Sequence, residues 1–260
     1  MDWLLASEAE NNLVVGIARR AAEKQGQISN PYFATIEEDG NLVGCVLRTP
    51  PYKLIVTDFP TLAAPLVSSD LARTHDVLPA VLGPEHSARA FADAWCAPRG
   101  IRPRLGMRQR VYQLDRVVPP KSIRSTMRIA GARDIDLVTT WIEDFSTESG
   151  VPTARARALG EERIVNGELF LWEDEGHPTS MAAWSGNTPN GVRIGYVYTP
   201  PRLRGRGYAS ACVAEVSQRA LDHGYRFCFL FTDLSNPVSN SIYQRLGYQQ
   251  VCDVVDFWLT

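Results

Sequence analysis

Between Pro200 and Ser210 the chain reads PPRLRGRGYAS, which sets Arg202, Arg204 and Arg206 among Gly205 and Gly207. Paired prolines donate no backbone N–H and stop a sheet ladder, so the chain must leave a strand there. Downstream, Ala209, Cys212, Val213, Val216, Ala220 and Leu221 recur at helical spacing, and Gly224 is a natural stop. The turn therefore sits at a helix N-terminus, where the first N–H groups lack intrahelical acceptors. Glycine at 205 and 207 removes side chains that would hold an anion away from those donors, and the arginines add positive charge at the rim. This is the build of a pyrophosphate cradle. The competing reading is a tight turn with solvated arginines. The run contains neither GxxxxGK with a following Ser or Thr nor a clean GxGxxG with an acidic residue at the next strand end, so triphosphatase and dinucleotide readings fall back.

A second stretch, LSNPVSNSIYQRLGY from Leu234 to Tyr248, follows about thirty residues later. Asn236, Ser239, Asn240 and Tyr243 fall at i, i+3, i+4 and i+7, one polar stripe on a helix that Pro237 begins. Val238, Ile242 and Leu246 are expected to form its buried stripe. Two amides, a hydroxyl and a phenol aligned beside a core stripe suit a face turned to a polar ligand. An N-cap at Ser235 or Asn236 and a partly buried tyrosine account for the same residues without a ligand.

These motifs need a scaffold, and 260 residues suffice for one large domain or two smaller ones. The clearest punctuation is LDRVVPPKSIRS, Leu114 to Ser125, which places a boundary near residue 120 and divides the chain into 1–120 and 121–260. In the first half the spacing predicts a helix over Asn11 to Lys24, a hairpin turning at Asp39-Gly40, a strand at Leu54 to Thr57, and helices near Pro60 to Ala72 and Pro84 to Ala97. A strand over Arg108 to Leu114 closes it. The second half reads as strand Met127 to Ala130, helix Asp134 to Phe145, a polar linker, and strands near Glu168 to Trp172, Thr179 to Ser185 and Val192 to Tyr198. The two motif helices, a strand at Phe227 to Phe231 and a terminal strand, Tyr248 to Leu259, complete it. Strands alternating with helices give a mixed α/β class, and the repeated order suggests a degenerate tandem repeat.

With 27 basic against 29 acidic side chains, no global field draws the chain to nucleic acid or to an anionic membrane. Cys45, Cys96, Cys212, Cys228 and Cys252 are odd in number and form no CxxC, which fits a reducing, cytoplasmic setting better than disulfides or zinc. No apolar run reaches the roughly 18 residues of a membrane span, so the chain is expected to be soluble and unprocessed. His75, His86, His177 and His223 lack the spacing of a metal site or a triad. Trp172 and Trp184 could line a pocket, though core packing explains them as well. Arg102 to Arg110 reads as a basic surface loop.

The two motifs together resemble the GNAT superfamily of acyl-CoA-dependent N-acetyltransferases, whose signature is a (Q/R)xxGx(G/A) turn after the fourth strand, then Asn and Tyr on the helix after the fifth. The first motif is met in two registers, Arg202 with Gly205 and Gly207, and Arg204 with Gly207 and Ala209; the second is met by Asn236, Tyr243 and the closing Leu246-Gly247-Tyr248. The resemblance covers about residues 125 to 260 and implies a GNAT fold of mixed sheet, with acetyl-CoA as donor and a primary amine of a small molecule or protein as acceptor. It implies a pyrophosphate held by Arg202 and by the turn Arg204, Gly205, Arg206, Gly207, Tyr208, Ala209 and Ser210. The pantetheine would lie along Val197, Tyr198 and Thr199, with Asn236 and Asn240 near the arm or the nucleotide end. Tyr243 would stand at the sulfur as general acid, an ordinary phenol pKa of about 10 facing a thiol of about 8.5. Many members carry a glutamate on the fourth strand. Val192 to Tyr198 has no carboxylate, so the base is sought at Glu143, Asp144 or Glu148, or in a water chain.

In the first half, the position after Leu54 to Thr57 reads DFPTLAAPLVS, without glycine or arginine. The chain thus resembles tandem-lobed GNAT proteins in which only the C-terminal lobe binds acyl-CoA. A non-catalytic acyl-CoA sensor is the rival reading, and a homodimer stays open.

Overall fold

The computed structural model describes residues 1–23, 28–120, 125–150 and 155–260. In chain order the elements are α1 (Asp2–Ala6), α2 (Glu8–Glu23), β1 (Tyr32–Glu38), β2 (Asn41–Arg48), β3 (Leu54–Val56), α3 (Ala64–Leu71), β4 (Ala80–Gly83), α4 (Glu85–Cys96) and β5 (Arg104–Leu114). They continue with β6 (Thr126–Ile129), α5 (Ile135–Ser149), α6 (Ala156–Val165), β7 (Leu169–Asp174), β8 (His177–Ser185), β9 (Gly191–Tyr198), α7 (Tyr208–Asp222), β10 (Phe227–Asp233), α8 (Pro237–Arg245) and β11 (Gln249–Trp258). The fold is mixed α+β and comprises two compact units. One holds Met1–Val111, Asp233–Ser235 and Val251–Thr260, the other Tyr112–Thr232 and Asn236–Gln250.

In the first unit the strand order is β1-β2-β3-β4-β11-β5. The β1–β2 hairpin closes on Asp39 and Gly40, both at positive φ, as the Asp-Gly dipeptide predicts. Alternate strand residues feed two layers: Val46, Leu54, Val56 and Val81 pack with Phe91 and Trp95, while Leu47, Ile55 and Leu82 pack with Leu4, Val14 and Val15. The terminal strand read from sequence as Tyr248 to Leu259 is β11, whose residues from Val251 belong to this unit, with Val255 opposite Gly83 and Trp258 opposite Ala80.

In the second unit the order is β10-β9-β8-β7-β6, antiparallel except for the parallel β9–β10 pair. Phe170, Trp172 and Ala182 face the layer of α7 and α8; Leu169, Leu171, Met181 and Ala183 face that of α5 and α6. The helix expected over Asp134 to Phe145 starts one residue later and runs on to Ser149, ended by Gly150 at φ +64°. Where a polar linker was expected, α6 forms. Its apolar positions are few, and Ala156, Leu159 and Ile164 supply its packing against α5 and the sheet. The expected helix end at Lys24, residues 121–124 of the expected boundary stretch and residues 151–154 of the expected polar linker lie outside the described residues.

Helix, three strands, helix, strand, helix recurs in both halves, as α2-β1-β2-β3-α3-β4-α4 and as α6-β7-β8-β9-α7-β10-α8. The pairing sense recurs too: antiparallel, antiparallel, then parallel.

Candidate acyl-carrier site

The site is built at the end of β9. Its parallel ladder with β10 covers only Gly191–Arg193 against Phe227–Phe229, so Ile194 to Tyr198 run past the end of that ladder. Against β8, Met181 stands opposite Tyr198 and Ala183 opposite Gly195, which gives β9 one extra residue and a bulge at Tyr196-Val197. Tyr196 sits at φ +52°, a left-handed conformation that costs a tyrosine about 1–3 kcal/mol. The extra residue also switches the parity of the strand. Val192 and Ile194 face α7, whereas Tyr196 and Tyr198 face α5.

Beyond the bulge the strand end is pinned by a buried hydroxyl relay. Thr199 Oγ1 donates to Ser180 Oγ at 2.9 Å, and Ser180 Oγ donates to the Tyr198 carbonyl at 3.0 Å. The Tyr198 hydroxyl donates to Asp144 Oδ2 at 3.0 Å. Burial, then that carboxylate, push the Tyr198 pKa up to about 12.

Pro200 ends the strand and a single 3-10 turn, Pro201–Leu203, leads into the glycines. Gly205 lies at φ +77° and Gly207, the N-cap of α7, at φ +85°. The first intrahelical bond runs from Ala211 N–H to the Gly207 carbonyl at 3.0 Å. The N–H groups of Tyr208, Ala209 and Ser210 therefore precede any intrahelical acceptor and present the positive end of the helix. A Cβ at Gly205 would meet nothing within 4 Å, so the space over the turn is open.

The arginines divide their labour differently from a uniform cationic rim. Arg204 folds back, its Nε donating to the Thr199 carbonyl at 2.9 Å and its Nη2 to both Glu148 oxygens at 2.8 and 2.6 Å. It braces the turn, while Arg202 and Arg206 are exposed. The Tyr208 phenol is turned inward to Asp174, which leaves its backbone N–H as the group it offers at the turn.

On α8 the predicted amides hold the helix itself. Asn236 Oδ1 accepts from Ser239 N–H at 3.0 Å as the N-cap, and Asn240 Nδ2 donates to the Asn236 carbonyl at 2.7 Å. Tyr112, fully buried on β5, donates to Asn240 Oδ1 at 3.1 Å and accepts from Gln244 Nε2 at 3.3 Å. Neither Tyr112 nor Gln244 carries a motif; the only sequence signal is the i+4 spacing of Asn240 and Gln244. Val238, expected in the buried stripe, is 68% exposed. It lies in the first turn of α8; of the expected buried stripe Leu246 and, in part, Ile242 are buried, and Tyr243, expected on the polar stripe, is buried with them.

Tyr243 packs against the rings of Tyr112 and Tyr248, with centroids at 6.3 and 5.9 Å. Its hydroxyl has no hydrogen-bond partner among the described residues, and burial pushes its pKa up to about 12. Cys212 and Cys228 share its core cluster and their thiols are likewise raised by burial to about 12. Of the acidic candidates, Asp144 and Glu148 stand four apart on α5 and reach Tyr198 and Arg204 respectively, while Glu143 is exposed. Trp184 packs on Phe170 at 4.9 Å and donates to the Val216 carbonyl, a core role. Among the described residues no group of three His, Cys, Asp or Glu could hold a metal, and no helix is long and apolar enough to cross a membrane.

The corresponding place in the first unit is closed. Phe59 is buried, its N–H donates to Ser87 Oγ at 3.1 Å, and Ser87 Oγ donates back to the Phe59 carbonyl at 3.3 Å. A Cβ on Gly83 would lie 2.5 Å from the Val56 carbonyl oxygen, so β3 and β4 stay in contact to their ends.

Residues 136–248 match the model of the Acetyltransferase (GNAT) family. No curated protein sequence matches the chain. Among solved structures, a GCN5-related N-acetyltransferase from Sphaerobacter thermophilus is similar with a TM-score of 0.65 at 18% identity, over 97% of this chain and 90% of that one. One from Kribbella flavida gives 0.62 at 14% identity, over 95% and 94% of the two chains. An acetyltransferase of the GNAT family from Colwellia psychrerythraea gives 0.59 at 16%, over 88% and 85%. At these identities the likeness is one of fold. The span that matches the family model, residues 136–248, holds the β9 bulge, the glycine turn, α7 and Tyr243.

Proposed function

We propose that the chain is an acyl-CoA-dependent N-acetyltransferase that moves an acetyl group from acetyl-CoA to a primary amine by direct attack in a ternary complex. The observation that carries this reading is one continuous stretch: a strand edge that runs past its parallel neighbour, followed by a glycine N-cap with three N–H donors lacking intrahelical acceptors. The edge at Val197, Tyr198 and Thr199 would hold an extended amide-bearing arm as a further strand. The N–H groups from Gly205 to Ser210 would hold the pyrophosphate, with the exposed Arg202 reaching outlying phosphates, Arg206 at the Tyr208 phenol adding positive charge beside the turn, and Arg204 bracing it. Asn236 and Asn240 would set α8, and with it Tyr243, at the reacting end.

Acyl-CoA supplies an activated thioester. Tyr243 stays protonated at neutral pH, because its pKa lies near 12. A phenol that weak would not protonate an ordinary thiolate of about 8.5. A thiolate leaving in a desolvated site beside Tyr243 would be a stronger base than in water, which would favour proton transfer from the phenol. The amine must be neutral to attack. With no carboxylate in Val192 to Tyr198, proton removal falls to Asp144, Glu148 or Glu143 on α5, or to a water chain.

The first unit is read as a degenerate lobe of the same kind, supported by the recurring element order and pairing sense and by the sealed turn at Phe59. The free thiols suit a reducing, cytoplasmic setting. The second reading, an acyl-CoA sensor without turnover, is favoured by the missing strand carboxylate. Acetyl transfer from labelled acetyl-CoA to a panel of primary amines separates the two. Transfer by wild type, with Tyr243→Phe about 10- to 100-fold slower at unchanged acetyl-CoA affinity, supports the enzyme. Saturable binding without transfer to any amine supports the sensor.

A further inference from the structure

Arg163 is a buried cation with an incomplete set of partners. Only 4% of it is exposed, its Nη1 donates to the Trp184 carbonyl, its nearest carboxylate is Glu168 at 3.7 Å, and its Nε has no partner among the described residues. A guanidinium held this deep with so little compensation is costly, and its position must be supported by something else. The neighbour is Tyr196, over whose ring the guanidinium carbon sits at 4.7 Å from the centroid. Phe145 meets the same ring at 5.4 Å.

Tyr196 is the residue at φ +52° in the β9 bulge. Its ring lies in the α5–α6 layer only because the extra residue has switched strand parity; without the bulge, residue 196 would face the same side as Ile194. Arg163 also bonds Trp184, which pairs with Ile194 across β8 and β9. One side chain thus grips both the bulged strand and its partner. We infer that Arg163 is a positioning residue for the acyl carrier: by seating the Tyr196 ring it holds β9 in the bulged register that aims the strand edge at Val197 to Thr199. This rests on the acyl-CoA reading above and assigns the pantetheine part of that site its support.

The test needs no acceptor. Acetyl-CoA spans strand edge and turn, whereas adenosine 3′-phosphate 5′-diphosphate reaches the turn alone. Calorimetric titrations of both into wild type, Arg163→Met and Arg163→Lys separate the two parts. Loss of a cation–π contact and a charge-assisted bond predicts about tenfold weaker acetyl-CoA binding by Arg163→Met, with the nucleotide unchanged and Arg163→Lys between. Equal weakening of both ligands, or of neither, overturns the inference. Should Arg163→Met fail to fold, Tyr196→Gly takes its place, since glycine accepts φ +52° but offers no ring. It should show the same selective loss, and unchanged acetyl-CoA affinity would overturn the inference. Wild type that binds neither ligand overturns the acyl-CoA reading, and this inference with it.

Discussion

The guanidinium of Arg204 and the carboxylate of Glu148 are joined through both carboxylate oxygens, at 2.8 and 2.6 Å, while Arg204 Nε holds the Thr199 carbonyl. A helix that carries the candidate bases is thereby tied to the strand end that precedes the glycine turn. The pair is half exposed, at 47% and 44%, so its net worth is about 0.2–1 kcal/mol.

Glu148→Gln should therefore release Arg204 at little cost in stability and remove a negative charge near the turn. Acetyl-CoA affinity should rise roughly two- to fivefold, with a steeper salt dependence. Calorimetry at two ionic strengths measures this. Unchanged or weaker binding would mean that Arg204 serves the site better where it is.

Tyr198, Tyr243, Cys212 and Cys228 give the folded state a distinct alkaline limit. Their ordinary values are 10.0 for the phenols and 9.0 for the thiols, and burial raises all four to about 12. Between those values the unfolded chain binds fewer protons than the folded one, so stability present below pH 9 is lost as pH climbs to 12. Urea midpoints at pH 8, 10 and 11 should fall in that order, and less steeply in Tyr243→Phe. By the same reasoning Tyr243 imposes no fall in kcat between pH 7 and 10.

Gly247 closes α8 at φ +99°, and a Cβ there would lie 2.8 Å from the Arg116 carbonyl oxygen. Gly205 has a similar φ of +77° but open space around it. Gly247→Ala should cost ~2 kcal/mol or more, roughly 4–8 °C in Tm, and Gly205→Ala clearly less. Equal losses would show that backbone angle alone sets the cost.

Features written in local chemistry were legible in the sequence. Two prolines ended β9, the glycine turn opened α7, Asp39-Gly40 turned a hairpin, and Pro237 began α8. Features that depend on partners distant in sequence were not. Nothing in GVRIGYVY marks Tyr196 for a left-handed backbone, since tyrosine is an ordinary strand residue and the bulge appears only against β8. Arg163 lay in a segment too poor in apolar residues to read as a helix, and its burial follows from Tyr196 and Trp184. Val238 was expected inside by spacing, yet the first turn of α8 leaves it in solvent. The arginines of the turn read alike until Glu148 distinguished Arg204.

On the proposed reading, the turn at Gly205 to Ser210 holds a pyrophosphate on its backbone N–H groups. Titrating acetyl-CoA calorimetrically into wild type and into Gly207→Glu tests it most directly, because the substitution places a carboxylate and a strained φ at the helix N-cap. The expected result is saturable binding by wild type that the folded variant loses. Wild-type protein that fails to bind, or a variant that binds equally well, would contradict it.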